Sequence, residues 1–147
     1  MKKSRAVVDT GVLISAFVFG GVPEKAVRKV FSLCDVYVSP AMLFEYKETP
    51  KGLLTEGKIN LNQFEVLIEG IATFVSKSVL VYPKDNLTIC RDPKDDFILE
   101  CCLTADINFL ITGDKDLLEL KENYLPEGLR NLRITTPSKF LEVIENE

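Results

Sequence analysis

Five short apolar runs recur along the chain, each separated from the next by helical periodicity, and that alternation leaves few folds open. The runs are Arg5-Ala6-Val7-Val8-Asp9, Val36-Tyr37-Val38, Val79-Leu80-Val81, Ile107-Asn108-Phe109-Leu110-Ile111 and Leu132 to Thr135. Nearly continuous apolar strands suit a parallel sheet covered on both faces. Strands alternating with helices predict an α/β/α sandwich with a parallel sheet. At 147 residues the chain makes one domain, residues 1–147, without linkers or repeats.

Punctuation residues mark the helices. Val12 to Phe19 is closed by Gly20-Gly21, and Pro23-Glu24 opens a helix with Ala26, Val27, Val30 and Phe31 on one face. Ser39-Pro40 starts a helix carrying Met42, Leu43, Glu45 and Tyr46, expected to stop before Pro50 and give way to a loop over Lys51–Gly57. Asn60 to Val75 is a long amphipathic helix, and Pro83 to Arg91 a loop. Asp92-Pro93 caps and opens the next helix, with Asp95 and Asp96 in its first turn. Leu117–Leu120 is a short helix, and Thr136 caps a closing one over Pro137–Ile144.

Composition removes several chemistries. Histidine is absent, so imidazole bases, His–zinc sites and Ser/His or Cys/His nucleophiles are excluded. Four cysteines (Cys34, Cys90, Cys101, Cys102) lack CxxC spacing and read as buried, reduced thiols of a cytoplasmic protein. Lys2, Lys3 and Arg5 ahead of Val12–Val18 superficially resemble a signal peptide, but Asp9 interrupts the apolar run and no cleavage site follows. No stretch reads as a membrane span. A net charge of −4 argues against sequence-blind polyanion binding over the whole surface.

The acids are distributed unevenly. Asp9 ends the first strand, Asp114 follows the fourth, Asp96 opens the helix before the fourth, and Glu45 lies about one turn into the helix after the second. Ligand groups in open α/β sheets gather at the carboxyl ends of strands, so all four can reach one edge. Crowded carboxylates repel, which leaves either protonation or a bound cation. An all-oxygen set suits Mg²⁺ or Mn²⁺, the equipment of a phosphodiester hydrolase. Taken singly, Asp92, Asp95, Asp116, Glu100 and Glu48 have bland readings as caps, dipole partners or solvated acids.

In company, the segments are recognisable. V-V-D-T-G-V-L-I-S-A, S-P-A-M-L-F-E-Y-K-E, D-P-K-D-D-F-I-L-E and F-L-I-T-G-D-K-D-L-L resemble the successive motifs of the PIN-domain family, most closely its toxin–antitoxin branch. The resemblance implies a five-stranded parallel sheet of order 3-2-1-4-5 and a Mg²⁺- or Mn²⁺-dependent ribonuclease cutting single-stranded RNA. It implies the acidic quartet Asp9, Glu45, Asp96 and Asp114, with Asp96 preferred to Asp95 on the family's spacing. Asp116 is then an accessory acid and metal ligand, and Thr10 and Thr112 match the small hydroxyl positions. Cys101-Cys102 departs from the small residues the family carries there. The resemblance also implies a small antitoxin partner and a homodimer.

Of the nearby basic residues, Arg91, Lys94 and Lys115 are expected to contact RNA phosphates. The Asn60–Val75 helix, with Leu61, Phe64, Leu67, Ile68, Ile71, Ala72 and Val75, carries more apolar surface than one sheet face buries, as do Leu53 and Leu54 before it. That surface is the expected dimer interface. A phospho-receiver domain, the principal rival, needs paired acids after strand one and a Lys after strand five. Here those positions hold Asp9-Thr10 and Thr135-Thr136. A catalytically degenerate PIN-like binding module is the other alternative.

Overall fold

A computed structural model describes residues 3–120 and 122–146. Lys2, and the outermost residues of the expected 1–147 domain, lie outside the described residues. In chain order the elements are β1 (Ser4–Val8), α1 (Thr10–Ile14) running into a π-helical turn (Ser15–Phe19), α2 (Gly21–Leu33), β2 (Cys34–Val38), α3 (Pro40–Thr55) and α4 (Leu61–Ser76). There follow β3 (Val79–Leu80), α5 (Pro93–Thr104), β4 (Phe109–Ile111), α6 (Lys115–Leu118), β5 (Arg133–Thr135) and α7 (Pro137–Glu145). The five strands form one parallel sheet of order β3-β2-β1-β4-β5 flanked by helices, the expected architecture. Among the described residues no single helix is long and apolar enough to cross a membrane.

Caps explain most helix starts. Asp9, Ser39, Asp92, Asp114 and Thr136 each accept a backbone N–H of the following helix. Asn60 and Gln63 form a reciprocal capping box at α4. Three of these caps follow strands β1, β2 and β5 directly, and Asp114 comes three residues after β4. The carboxyl edge of the sheet therefore collects helix N-termini, whose partial positive charge favours acids.

Two expectations about α3 fail together. The helix runs through Pro50 to Thr55, so Leu53 and Leu54 are helical rather than part of a loop. Pro50 removes one N–H, but it is buried with Tyr46 and Met42 on the inner face, where packing sustains the helix. α3 then ends at Glu56, followed by Gly57 with φ 74°. In α4, Leu67, Ile71 and Phe74 are buried, while Leu61 and Ala72 are exposed. Gly70 allows close approach to the π turn, since a Cβ there would lie 2.6 Å from the Phe17 ring.

The core is continuous. Val7, Val8, Leu110 and Ile111 are fully buried in the central strands. Edge-on aromatic pairs join the layers, Tyr46 to Phe74 at 6.1 Å and Phe109 to Phe140 at 5.3 Å between centroids. The Tyr46 hydroxyl donates to the buried Val8 carbonyl, one residue before Asp9. This bond ties α3, and with it Glu45, to the end of β1. Tyr46→Phe leaves that carbonyl unpaired and should destabilise by about 1–3 kcal/mol in urea titration. An unchanged midpoint would show that the bond contributes nothing.

Candidate active site

Register places the first two site groups. Val8 pairs with Ile111, so Asp9 and Thr112 leave the sheet side by side. The Thr112 hydroxyl donates to Asp9 Oδ2 at 2.6 Å and accepts from the Asp114 backbone N–H at 3.0 Å. Asp9 Oδ1 accepts the Thr10 N–H at 2.8 Å. Asp114 Oδ1 accepts the Asp116 N–H at 2.8 Å, so Asp114 rather than Asp116 caps α6. A fully buried threonine thus locks two acids from different strands together.

The third wall comes from the first turn of α5. Asp95 lines the cleft with Asp9, Thr10, Glu45, Asp92, Lys94 and Asp114, in a space of about 310 Å³. Its Oδ2 atom is buried and has no hydrogen-bond donor. Asp95, Asp114 and Asp116 each offer a carboxylate oxygen, all within 4.8 Å of one another. Glu45 faces them across the cleft, held by Lys94 Nζ at 3.1 Å and the Thr49 hydroxyl at 3.3 Å.

Asp96 does not join this group. Its Oδ1 accepts two backbone N–H groups, of Ile89 and Cys90, each at 2.9 Å. One turn on, Glu100 is also buried and accepts the Leu87 N–H at 2.8 Å, so it is not the solvated acid its bland reading suggests. The two side chains share a helix face and fasten the loop that leads into α5. The correction follows from helical phase: neighbouring residues point about 100° apart, and here Asp95 faces the cleft while Asp96 faces the loop before α5. Spacing from Asp114 does not resolve that rotation. The pair Asp96/Glu100 at i,i+4 was the available signal, marking one face for a single task.

The expected cationic rim is largely spent within the chain. Arg91 pairs with Asp116 at 2.8 Å and Lys94 with Glu45, while Lys115 is exposed at the start of α6. Thiols beside the cleft are held in their unreactive, protonated form. Burial pushes the Cys101 thiol up to about 12, and burial with the adjoining Asp96 carboxylate does the same for Cys90.

Electrostatics identify the strained member. Burial, reinforced by the facing Asp114 carboxylate, pushes the Asp95 carboxyl from its ordinary 3.8 up to about 7. Burial also raises Asp9, opposed by its bonds from Thr112 and Thr10 and helped by the charges of Asp114 and Glu45. A buried oxygen without a donor, facing further carboxylates, wants either a proton or a cation. The residues fit a hard divalent ion: the donor set is all oxygen and carries a surplus of negative charge. Asp95, Asp114 and Asp116 would hold it, with Asp9 alongside.

Comparison with known proteins adds the family. Residues 5–116 match the family profile described as the PIN domain. An uncharacterized protein of Methanocaldococcus jannaschii is 32% identical over 147 aligned positions, covering 97% of this chain and 93% of that protein. A chain of the crystal structure of VapBC2 from Rickettsia felis, bound to a DNA fragment from its promoter, superposes with a TM-score of 0.55 at 13% identity. That alignment covers 88% of this chain and 96% of the other.

A raised carboxyl binds its proton more tightly in the folded state, so the stabilisation it brings is present below about pH 4 and is lost as pH rises towards 7. In metal-free buffer the melting temperature should fall between about pH 4 and pH 7. Asp95→Asn should flatten that slope, and added Mg²⁺ should reverse it. Asp96→Ala should instead cost about 1.5–3 kcal/mol by releasing the loop, since bonds to a charged acceptor are lost. Equal behaviour of the two variants would refute the division of labour.

Proposed function

Since the chain belongs to the PIN-domain family, we propose that it is a metal-dependent endoribonuclease hydrolysing phosphodiester bonds of single-stranded RNA. The observation that carries this reading is the buried, donorless Asp95 oxygen facing Asp114 and Asp116 at the carboxyl edge of a parallel sheet. A bound Mg²⁺ or Mn²⁺ supplies Lewis acidity toward a phosphate oxygen and lowers the pKa of bound water.

The chain's own groups do the positioning. Thr112 holds Asp9 and the backbone of Asp114 in one arrangement before substrate arrives, so little reorganisation accompanies binding. Arg91 orients Asp116 through one carboxylate oxygen. The Lys94–Glu45 pair spans the cleft, and an entering phosphate competes with Glu45 for the ammonium. Release of Glu45 leaves a carboxylate able to accept a proton in the cleft. Asp96 has no part in this chemistry beyond fixing the loop next to it.

The biological setting we propose is the toxin half of a toxin–antitoxin pair, neutralised by a small antitoxin protein. The fold likeness to VapBC2 supports it. A cytoplasmic location suits the reduced cysteines Cys90, Cys101 and Cys102. Homodimerisation through the outer face of α4 is supported by exposed Leu61 and Val66, 60% and 52% accessible. Sedimentation equilibrium at micromolar concentration should give a dimer that Leu61→Lys/Val66→Lys dissociates. A monomer throughout rules the dimer out.

Purified protein should cleave single-stranded RNA with Mg²⁺ or Mn²⁺ and lose all cleavage in EDTA. Asp9→Asn should lower the rate by roughly two or more orders of magnitude while leaving the fold intact. Cleavage that survives exhaustive chelation would exclude the mechanism.

A further inference from the structure

A second groove opens beside the acidic cleft and is not needed to hold the acids. Its volume is about 290 Å³, with walls that include Pro40, Ala41, Tyr82, Pro83 and Phe97. Ala41 and Phe97 line the acidic cleft too, so the two spaces adjoin. Tyr82 and Phe97 are 68% and 43% exposed, two aromatic side chains on the walls of one groove. Both are well supported. Phe97 sits in α5, and the loop after Tyr82 is tied down by the Glu100 and Asp96 carboxylates.

Charge argues for what fills the groove. The chain carries a net charge of −4, and two cations bordering the cleft, Arg91 and Lys94, already bind Asp116 and Glu45. Phosphates flanking the scissile one must therefore compete with these carboxylates for Arg91 and Lys94, while Lys115 stays exposed. Stacking of bases on neutral aromatic faces adds an attraction that does not depend on charge. Phe97 lies on the wall that the two spaces share, within reach of a strand lying over the acids.

We propose that this groove binds a nucleobase of the substrate strand, next to the scissile phosphate, stacked against Phe97 and Tyr82. The proposal rests on the nuclease reading and adds a base-binding subsite to it. Both rings are solvent-facing, so their removal leaves the core untouched.

The test uses a short single-stranded oligoribonucleotide with 2-aminopurine walked through each position, bound to Asp9→Asn protein to prevent cleavage. Quenching should be concentrated at one position and disappear in Phe97→Ala/Tyr82→Ala, with binding about ten-fold weaker. Phe97→Trp should retain the quench. In the active background the double alanine variant should raise KM about ten-fold and leave kcat nearly unchanged. An unaltered KM and quench pattern in a protein that still cleaves overturns the subsite alone. A protein that neither binds nor cleaves RNA overturns the nuclease reading with it. Unaltered oligonucleotide binding, combined with loss of self-association or of a protein partner in the double variant, gives the groove to a protein and also overturns the proposal.

Discussion

Pairing of β1 with β4 puts Val8 opposite Ile111, and so sets Asp9 against Thr112 where both strands stop. A slip of one residue would turn every side chain of β1 to the other face and separate those groups. Burial of Val7, Val8, Leu110 and Ile111 on both faces of the sheet makes such a slip prohibitive. The hydrophobic core thus positions polar groups that it never touches. Thr112 completes the job with one hydroxyl, donating to Asp9 and accepting from Asp114.

Around that point the chain tolerates a local instability. Asp9, Asp95 and Asp114 repel one another, and burial deprives Asp95 of the water that would screen it. Helix N-termini from α1, α5 and α6 offset part of the cost through caps and partial charges. The remainder calls for a proton or a cation. A site held together in this way is rigid in its backbone and unsatisfied in its charge, the combination expected of a preorganised metal centre.

The acids of α5 show how one helical turn can serve two purposes. Asp92 caps it, Asp95 enters the cleft, and Asp96 with Glu100 fastens the preceding loop. Those fastenings also hold the segment between Tyr82 and Arg91, whose first residues line the aromatic groove. Structural carboxylates therefore lie beside functional ones, in the same chemical form and next to them in sequence.

What could be read from the sequence was what depends on near neighbours. The five apolar runs, the caps at Ser39, Asp92 and Thr136, and the position of Asp9 and Asp114 after strands are all local facts, and the family motifs supplied the strand order. The choice between Asp95 and Asp96 was not local, because it depends on how α5 is rotated against β4 and the incoming loop. The continuation of α3 through Pro50 was hidden for a similar reason, since burial against neighbouring elements outweighed a missing N–H. The pairing of Arg91 with Asp116, 25 positions away, and of Lys94 with Glu45 required the folded chain as well. Pattern along a chain records which residues want burial or a cap. Only packing decides which way a side chain faces, and a carboxylate's role follows from that direction.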